Sequence, residues 1–329
     1  MTINEADTRK QSKKVAIAKS IIATGSRPPK FSVYGSWGKF DIKDFLKMEY
    51  IQTTFSLSDE MIFGENRLAE ILRPAREVFQ SEQMDMDSIL QRAINDYRVS
   101  KEIIPYLGGE DVTLSGLDSV TKSIRPRFFP NITVAIVPIE DSDSDTLEDV
   151  YPNLDVKGDA KFSTKNPFDC YESGNQYHKC VSYGEETDGT FCFRVMKKAL
   201  IGENQDVVGW SPSSVKIEFS TKRCRLVIID GQHRAMALLA LARNRESGIW
   251  PSVAEPFKPF YEGKTISAEN LRGIQIPLTI AWFPNLHEDS ELVKSHNGSI
   301  KDACRALFTD INNNAITMDK TSQILLSDN

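Results

Sequence analysis

The chain has 329 residues, a net charge of −6 at pH 7 and 40% hydrophobic residues. That length buries a substantial core without disulfide or metal staples, and the acidic balance excludes a general coater of nucleic acid, which needs excess Lys and Arg. The longest apolar run, Ala235 to Ala242, spans eight residues, against the roughly 20 of a membrane-spanning helix. The N-terminus is polar, without a signal-peptide apolar region, so a cytoplasmic protein with no membrane partner is expected.

Residues 1–30 read as a flexible arm that ends in "GSRPPK", where two prolines stop any helix. Within it, Arg9, Lys10, Lys13 and Lys14 form the one obvious basic cluster, on which any DNA contact would rest; a solvated charge run is the plainer reading. Phe31 to Leu57 mixes aromatic, β-branched and glycine residues and predicts short strands and turns. A helix is expected from Ser58, its N-cap, with Asp59 and Glu60 at the positive helix end and Pro74 marking a break or kink. Over Asp87 to Leu107, two helical faces are expected, Ile89, Ala93 and Tyr97 on one and Val99, Ile103 and Leu107 on the other.

Ile132 to Val137 is an unbroken β-branched and apolar run bounded by prolines, a buried strand. The acidic turn after it places Asp141, Asp143 and Asp145 like a calcium loop. Thr146 and Pro152 stand where such a loop needs glycine and glutamate, so a solvated loop is expected. Residues from about 141 to 215 are polar and read as an insertion with short strands at 190–196 and 214–219. Five cysteines in a chain without an export signal read as reduced thiols. Cys170, His178, Cys180 and Cys192 fall close together but form no Cys-x₂-Cys pair, and no metal is expected there.

"RLVIIDGQHRAMALLALARNRE" (Arg225 to Glu246) then joins a buried strand to an apolar helix through five polar residues. A helix N-terminus offers unpaired N–H groups and partial positive charge. Gly231 lets the backbone turn, Arg234 carries a fork suited to phosphate or carboxylate, and His233 and Gln232 can donate or accept. Asp230 can hold a cation or lock Arg234 or His233. These residues fit either an anion seat or a self-satisfied structural network. Beyond them, Ile274 to Phe283 predicts a strand, and Ser299 caps a helix followed by a turn at "NNN" and a further helix near Asp319. His287 and His296 are too far apart for one helical face and read as surface positions. The chain stops on turn chemistry, "SDN", and is expected to continue beyond Asn329.

"IIDGQHRAMAL" resembles the signature of the DGQHR-domain proteins, which are similar to the ParB/sulfiredoxin-like fold and include the DndB-like proteins linked to DNA phosphorothioate modification. "RVSKEIIPYL", "RPRFFPNITVAIVP" and "LFTDINNNAITMD" look like further family elements in the right order, so the resemblance covers roughly Arg98 to the C-terminus. It implies a mixed α/β (α+β) domain over 31–329, with a helical N-terminal region and the pentapeptide at the ligand-facing edge of the sheet. Gly231 and Arg234 would contact phosphate; Asp230, Gln232 and His233, the catalytic candidates, would position the ligand, metal or water. Asn312 would close the pocket, with Asp310 as a partner. The implied role is nucleotide binding in a bacterial DNA-modification or defence system alongside other modification proteins, with hydrolysis of an NTP with Mg²⁺ left open. A DNA-binding regulator of the modification operon and a non-catalytic scaffold are the alternatives. The long polar insertion departs from the simplest family pattern.

Overall fold

The computed structural model describes residues 30–43, 45–57, 71–78, 94–108, 128–141, 146–147, 178–183, 191–203, 207–245, 250–267, 274–287 and 300–313. They form a mixed α/β structure around one ten-stranded sheet. Its strands are β1 (Lys30–Phe40), β2 (Met48–Ser56), β3 (Leu72–Pro74), β4 (Ile132–Asp141) and β5 (Thr146–Leu147), then β6 (His178–Tyr183), β7 (Phe193–Ile201), β8 (Val207–Ser220), β9 (Cys224–Asp230) and β10 (Gln275–Trp282). The spatial order is β3-β9-β4-β10-β2-β1-β8-β7-β6, with β5 beside β4. Two pairings are parallel, β3 with β9 and β4 with β10; the others are antiparallel.

The β1 strand serves two neighbours in succession. Lys30 to Gly35 pair with β8, and Ser36 to Phe40 pair with β2. At the changeover a side chain on Gly35 would collide with the Gln52 carbonyl, so glycine is what lets the two backbones approach. The sheet folds back on itself past this point. Tyr183 of β6 stacks on Phe193 of β7 at 4.2 Å, Phe193 meets Trp282 of β10 edge-on, and the Trp282 indole N–H donates to the Tyr183 hydroxyl. Alternation along β10 thus sends Ile280 and Trp282 to the folded-back strands and Thr279 and Ala281 to the opposite face.

Strand β9 is buried along nearly its whole length, as an unbroken run of Leu, Val and Ile with neighbours on both sides requires. It feeds helix α4 (Gln232–Arg245), in which every residue from Ala235 to Ala242 is buried. A helix apolar on all sides must be enclosed, and α4 is packed against β3, β4, β9 and a helical segment, α2 (Asp96–Arg98) followed by a π-helical turn (Val99–Ile103) and α3 (Ile104–Leu107). Burying side chains such as Met236 and Leu239 contributes about 1.5–3 kcal/mol each. Helix α5 (Ile300–Asn313) buries Ile300, Ala303 and Cys304.

Several expectations change here. Residues 31–57 form two long paired strands rather than short ones. Residues 72–74, expected in a helix, are the strand β3, with helical backbone at Ile71 before it and at Ala75–Val78 after it, the latter α1. Pro74 ends that strand, which has no outer neighbour among the described residues, a position where a missing N–H is tolerated. The expected face of Val99, Ile103 and Leu107 becomes Val99, Ile104 and Leu107, since the π turn adds a residue and rotates the next helical turn; Tyr97 is exposed. The expected polar insertion supplies β6, β7 and β8 to the sheet. Helix α5 runs through Asn312 and Asn313, beyond the start of the expected turn. The Ser58 and Ser299 caps, Ile89, Ala93, Cys170, His296 and the helix near Asp319 lie outside the described residues.

Candidate functional site

Gly231 joins β9 to α4 with φ at +82°, in the left-handed region that favours glycine. The amide of Ala235 closes the first helical turn on the Gly231 carbonyl at 2.9 Å. Gly231 is therefore the cap residue and offers no side chain, and no acidic residue stands in the first turn. The amides of His233 and Arg234 stand in the first turn of the helix, ahead of its intrahelical ladder.

Arg234 curls back over Gly231. One of its terminal nitrogens donates to the Asn131 carbonyl at 2.9 Å and sits 3.6 Å from the Asp230 carboxylate. Its Nε is buried with no hydrogen-bond partner among the described residues. A guanidinium presents five donors in a fixed fork, so this pairing leaves capacity unused. Burial depresses its pKa, and Asp230 opposes that shift. Asp230 is itself 41% exposed, open to a second partner.

His233 is held from behind. The backbone N–H of Asn95 donates to its Nε2 at 3.0 Å. An accepting Nε2 places the ring proton on Nδ1 in the neutral form. Burial lowers the His233 pKa, and Arg98, Arg234 and Arg76 add to the effect against the opposing pull of Asp96. The Asn95 carboxamide caps the Arg98 amide. Next to it, Asp96 takes a bidentate pair from Arg76 at 2.8 and 2.9 Å and a hydrogen bond from the Tyr261 hydroxyl. Burial and the Asp96 bond raise the Tyr261 pKa, so the phenol keeps its proton as donor. Arg76 also lies flat on Phe257, 3.5 Å from the ring centroid. This buried assembly fixes the segment that aims His233.

All five residues from Asp230 to Arg234 line one pocket of about 300 Å³, with Arg98, Ile103, Ile229, Phe308 and Asn312. Asn312 thus lies across the pocket from the turn, its amide nitrogen bound to the Phe308 carbonyl at 2.8 Å. Asp310 does not line it; two residues before Asn312, it points about 200° around α5 and lines a different cavity. Arg9, Lys10, Lys13 and Lys14 lie outside the described residues. Arg98, which the sequence did not single out, brings a second cation to the rim; its guanidinium is bound to Glu102 at 3.1 Å. The charged groups among the described lining residues are therefore the Arg234 guanidinium, the Arg98 guanidinium with Glu102 behind it, and the Asp230 carboxylate, beside an imidazole that burial disposes to stay neutral.

No group of three or more His, Cys, Asp or Glu side chains placed to hold a metal occurs among the described residues. Cys192, Cys224 and Cys304 are buried and form no disulfide among the described residues. No helix among the described residues is long and apolar enough to cross a membrane. Comparison with protein families, curated proteins and solved structures found no match to this chain.

Proposed function

We propose that the chain binds the phosphate group of a nucleotide at the Asp230–Arg234 turn, as a DGQHR-domain protein of the DndB-like, ParB/sulfiredoxin-like kind in a bacterial DNA-modification or defence system. The observation that carries this reading is the unused donor capacity of Arg234 beside a pocket that all five turn residues line. A self-satisfied network would have enclosed and fully paired that guanidinium; among the described residues it has one carbonyl and one loosely placed carboxylate. The helix amides and Arg98 supply further positive potential on the same side.

The turn residues take distinct roles. Arg234 and the amide of His233 hold phosphate oxygens, and Gly231 allows the close approach. His233 donates from Nδ1; with Nε2 already accepting from Asn95, it has no lone pair free to take a proton. Asp230, the turn's one carboxylate, would hold Mg²⁺ accompanying an NTP, and the ion would neutralise phosphate charge there.

Titration of the full chain with each of the four NTPs and Mg²⁺ tests the reading, with phosphate release followed in parallel. Saturable binding is expected, weakened in Arg234→Ala by roughly 1.5–3 kcal/mol, the scale of a charge-assisted hydrogen bond. No heat or saturation with any NTP overturns it.

A further inference from the structure

A larger cavity of about 670 Å³ lies on the other flank of α5, and the Asp230–Arg234 turn contributes nothing to its lining. Its volume falls in the range that encloses a small organic ligand. The space exists because three alanines face it: Ala281 of β10, and Ala303 and Ala306 of α5. Close packing would place larger side chains at such positions.

One wall is aromatic and prearranged. Tyr50 lies directly on Gly38, its register partner, where any side chain would strike the ring. Phe40 stacks against the same ring with centroids 6.0 Å apart. Phe40 and Phe45, both lining residues, are 56% and 71% exposed, a concentration of apolar surface at the mouth that marks a binding face more often than plain surface. The floor is polar. Thr133 accepts from the Asn131 amide at 3.2 Å and so keeps its own proton to give, and Gln52 lies two strands away in the same register, with Thr279 of β10 between them. Among the described lining residues the one charge is the Asp310 carboxylate, with no Lys, Arg or His.

We infer that this cavity binds an aromatic or heteroaromatic small molecule without negative charge. Its ring lies along Phe40 and Tyr50, its polar edge meets Thr133 and Gln52, and any cationic group faces Asp310. This site is separate from the anion pocket in both lining and charge, and it stands whether or not nucleotides bind at the turn.

Two probes sharing one ring but opposite in charge test it: tryptamine and indole-3-acetate, titrated into the full chain by NMR and calorimetry. Saturable tryptamine binding is expected, with indole-3-acetate at least about threefold weaker, the scale of one partly exposed charge. Ala306→Trp should abolish tryptamine binding, and Asp310→Asn should erase the difference between the probes. Phe45→Ala, at an exposed position, should weaken tryptamine several-fold and serves if Ala306→Trp does not fold. The inference is overturned if tryptamine fails to saturate by about 10 mM, a limit near −2.7 kcal/mol. It is equally overturned if a natively folded Ala306→Trp binds as wild type does, or if indole-3-acetate binds as tightly as tryptamine.

Discussion

The main-chain amide of Asn95 and the Nε2 of His233 meet at 3.0 Å across 138 residues of sequence. A protonated imidazole would put two donors face to face at this bond, so the geometry and the buried surroundings both favour neutral His233.

His233 should therefore titrate below its ordinary value of 6.5, and this sets the sign of its effect on stability. The unfolded chain takes up a proton on this residue near pH 6.5 while the folded chain still refuses it, so ∂ΔG/∂pH is positive in that window. Stability from His233 is complete above pH 6.5 and is lost as pH falls toward the folded pKa. Urea melts of wild type and His233→Gln from pH 5 to 8 check this: the difference between the two proteins should grow as pH rises to about 6.5 and then level off.

Gly231→Ala should cost about 1–2 kcal/mol from its positive φ alone. The added methyl would also approach a terminal nitrogen of Arg234 to 2.9 Å and push the guanidinium outward. Chemical denaturation reads the first effect, and NTP titration reads the second as a loss of affinity beyond that of any surface alanine.

Glu77 and Arg243 form a bidentate pair at 2.7 and 2.9 Å with the carboxylate fully buried. Glu77→Ala leaves the guanidinium buried with too few acceptors and should destabilise the fold by about 3–5 kcal/mol. Replacing both partners with Leu and Met should recover much of the loss, because the desolvation cost of two ions disappears with them. Thermal melts of the single and double variants decide the matter.

Burial pushes the Cys304 thiol up to about 12 and raises Cys224 further still. At pH 8 the Cys304 thiolate is then roughly one part in 10⁴, and thiolate is the reactive form. Both should stay unreactive toward an aromatic disulfide reagent until the protein is unfolded, which stopped-flow thiol titration with and without guanidinium measures.

How much of the molecule was legible in its chain depends on where the determining contacts lie. Strands β4 and β9 announce themselves because strands enclosed on both faces must be apolar at successive positions, and the uniformly apolar α4 likewise, while β10 shows as an apolar run whose burial alternates along most of its length. The β3 strand does not: three residues including a proline carry no period, and their extended form comes from lying parallel to β9, 154 residues away at Leu72↔Leu226. The turn itself was readable as strand, glycine and helix start. Its supports were not. Asn95 acts through its backbone amide, which every residue but proline possesses, and Asp96 is recognisable only once Arg76 and Tyr261 surround it. The Asn-x-x-Arg cap at Asn95 was the one local sign that a helix begins there and that Arg98 sits in its first turn.

The divided pairing of β1 also governs how the molecule comes apart. The β6–β8 flank and the helix-bearing flank are stitched by consecutive halves of one eleven-residue segment, so fraying at either half strips registration from its continuation. Neither flank has an independent seam along which to detach. Heat or denaturant should dissolve both together, and the slowest-exchanging amides should include those flanking the Gly35 crossover.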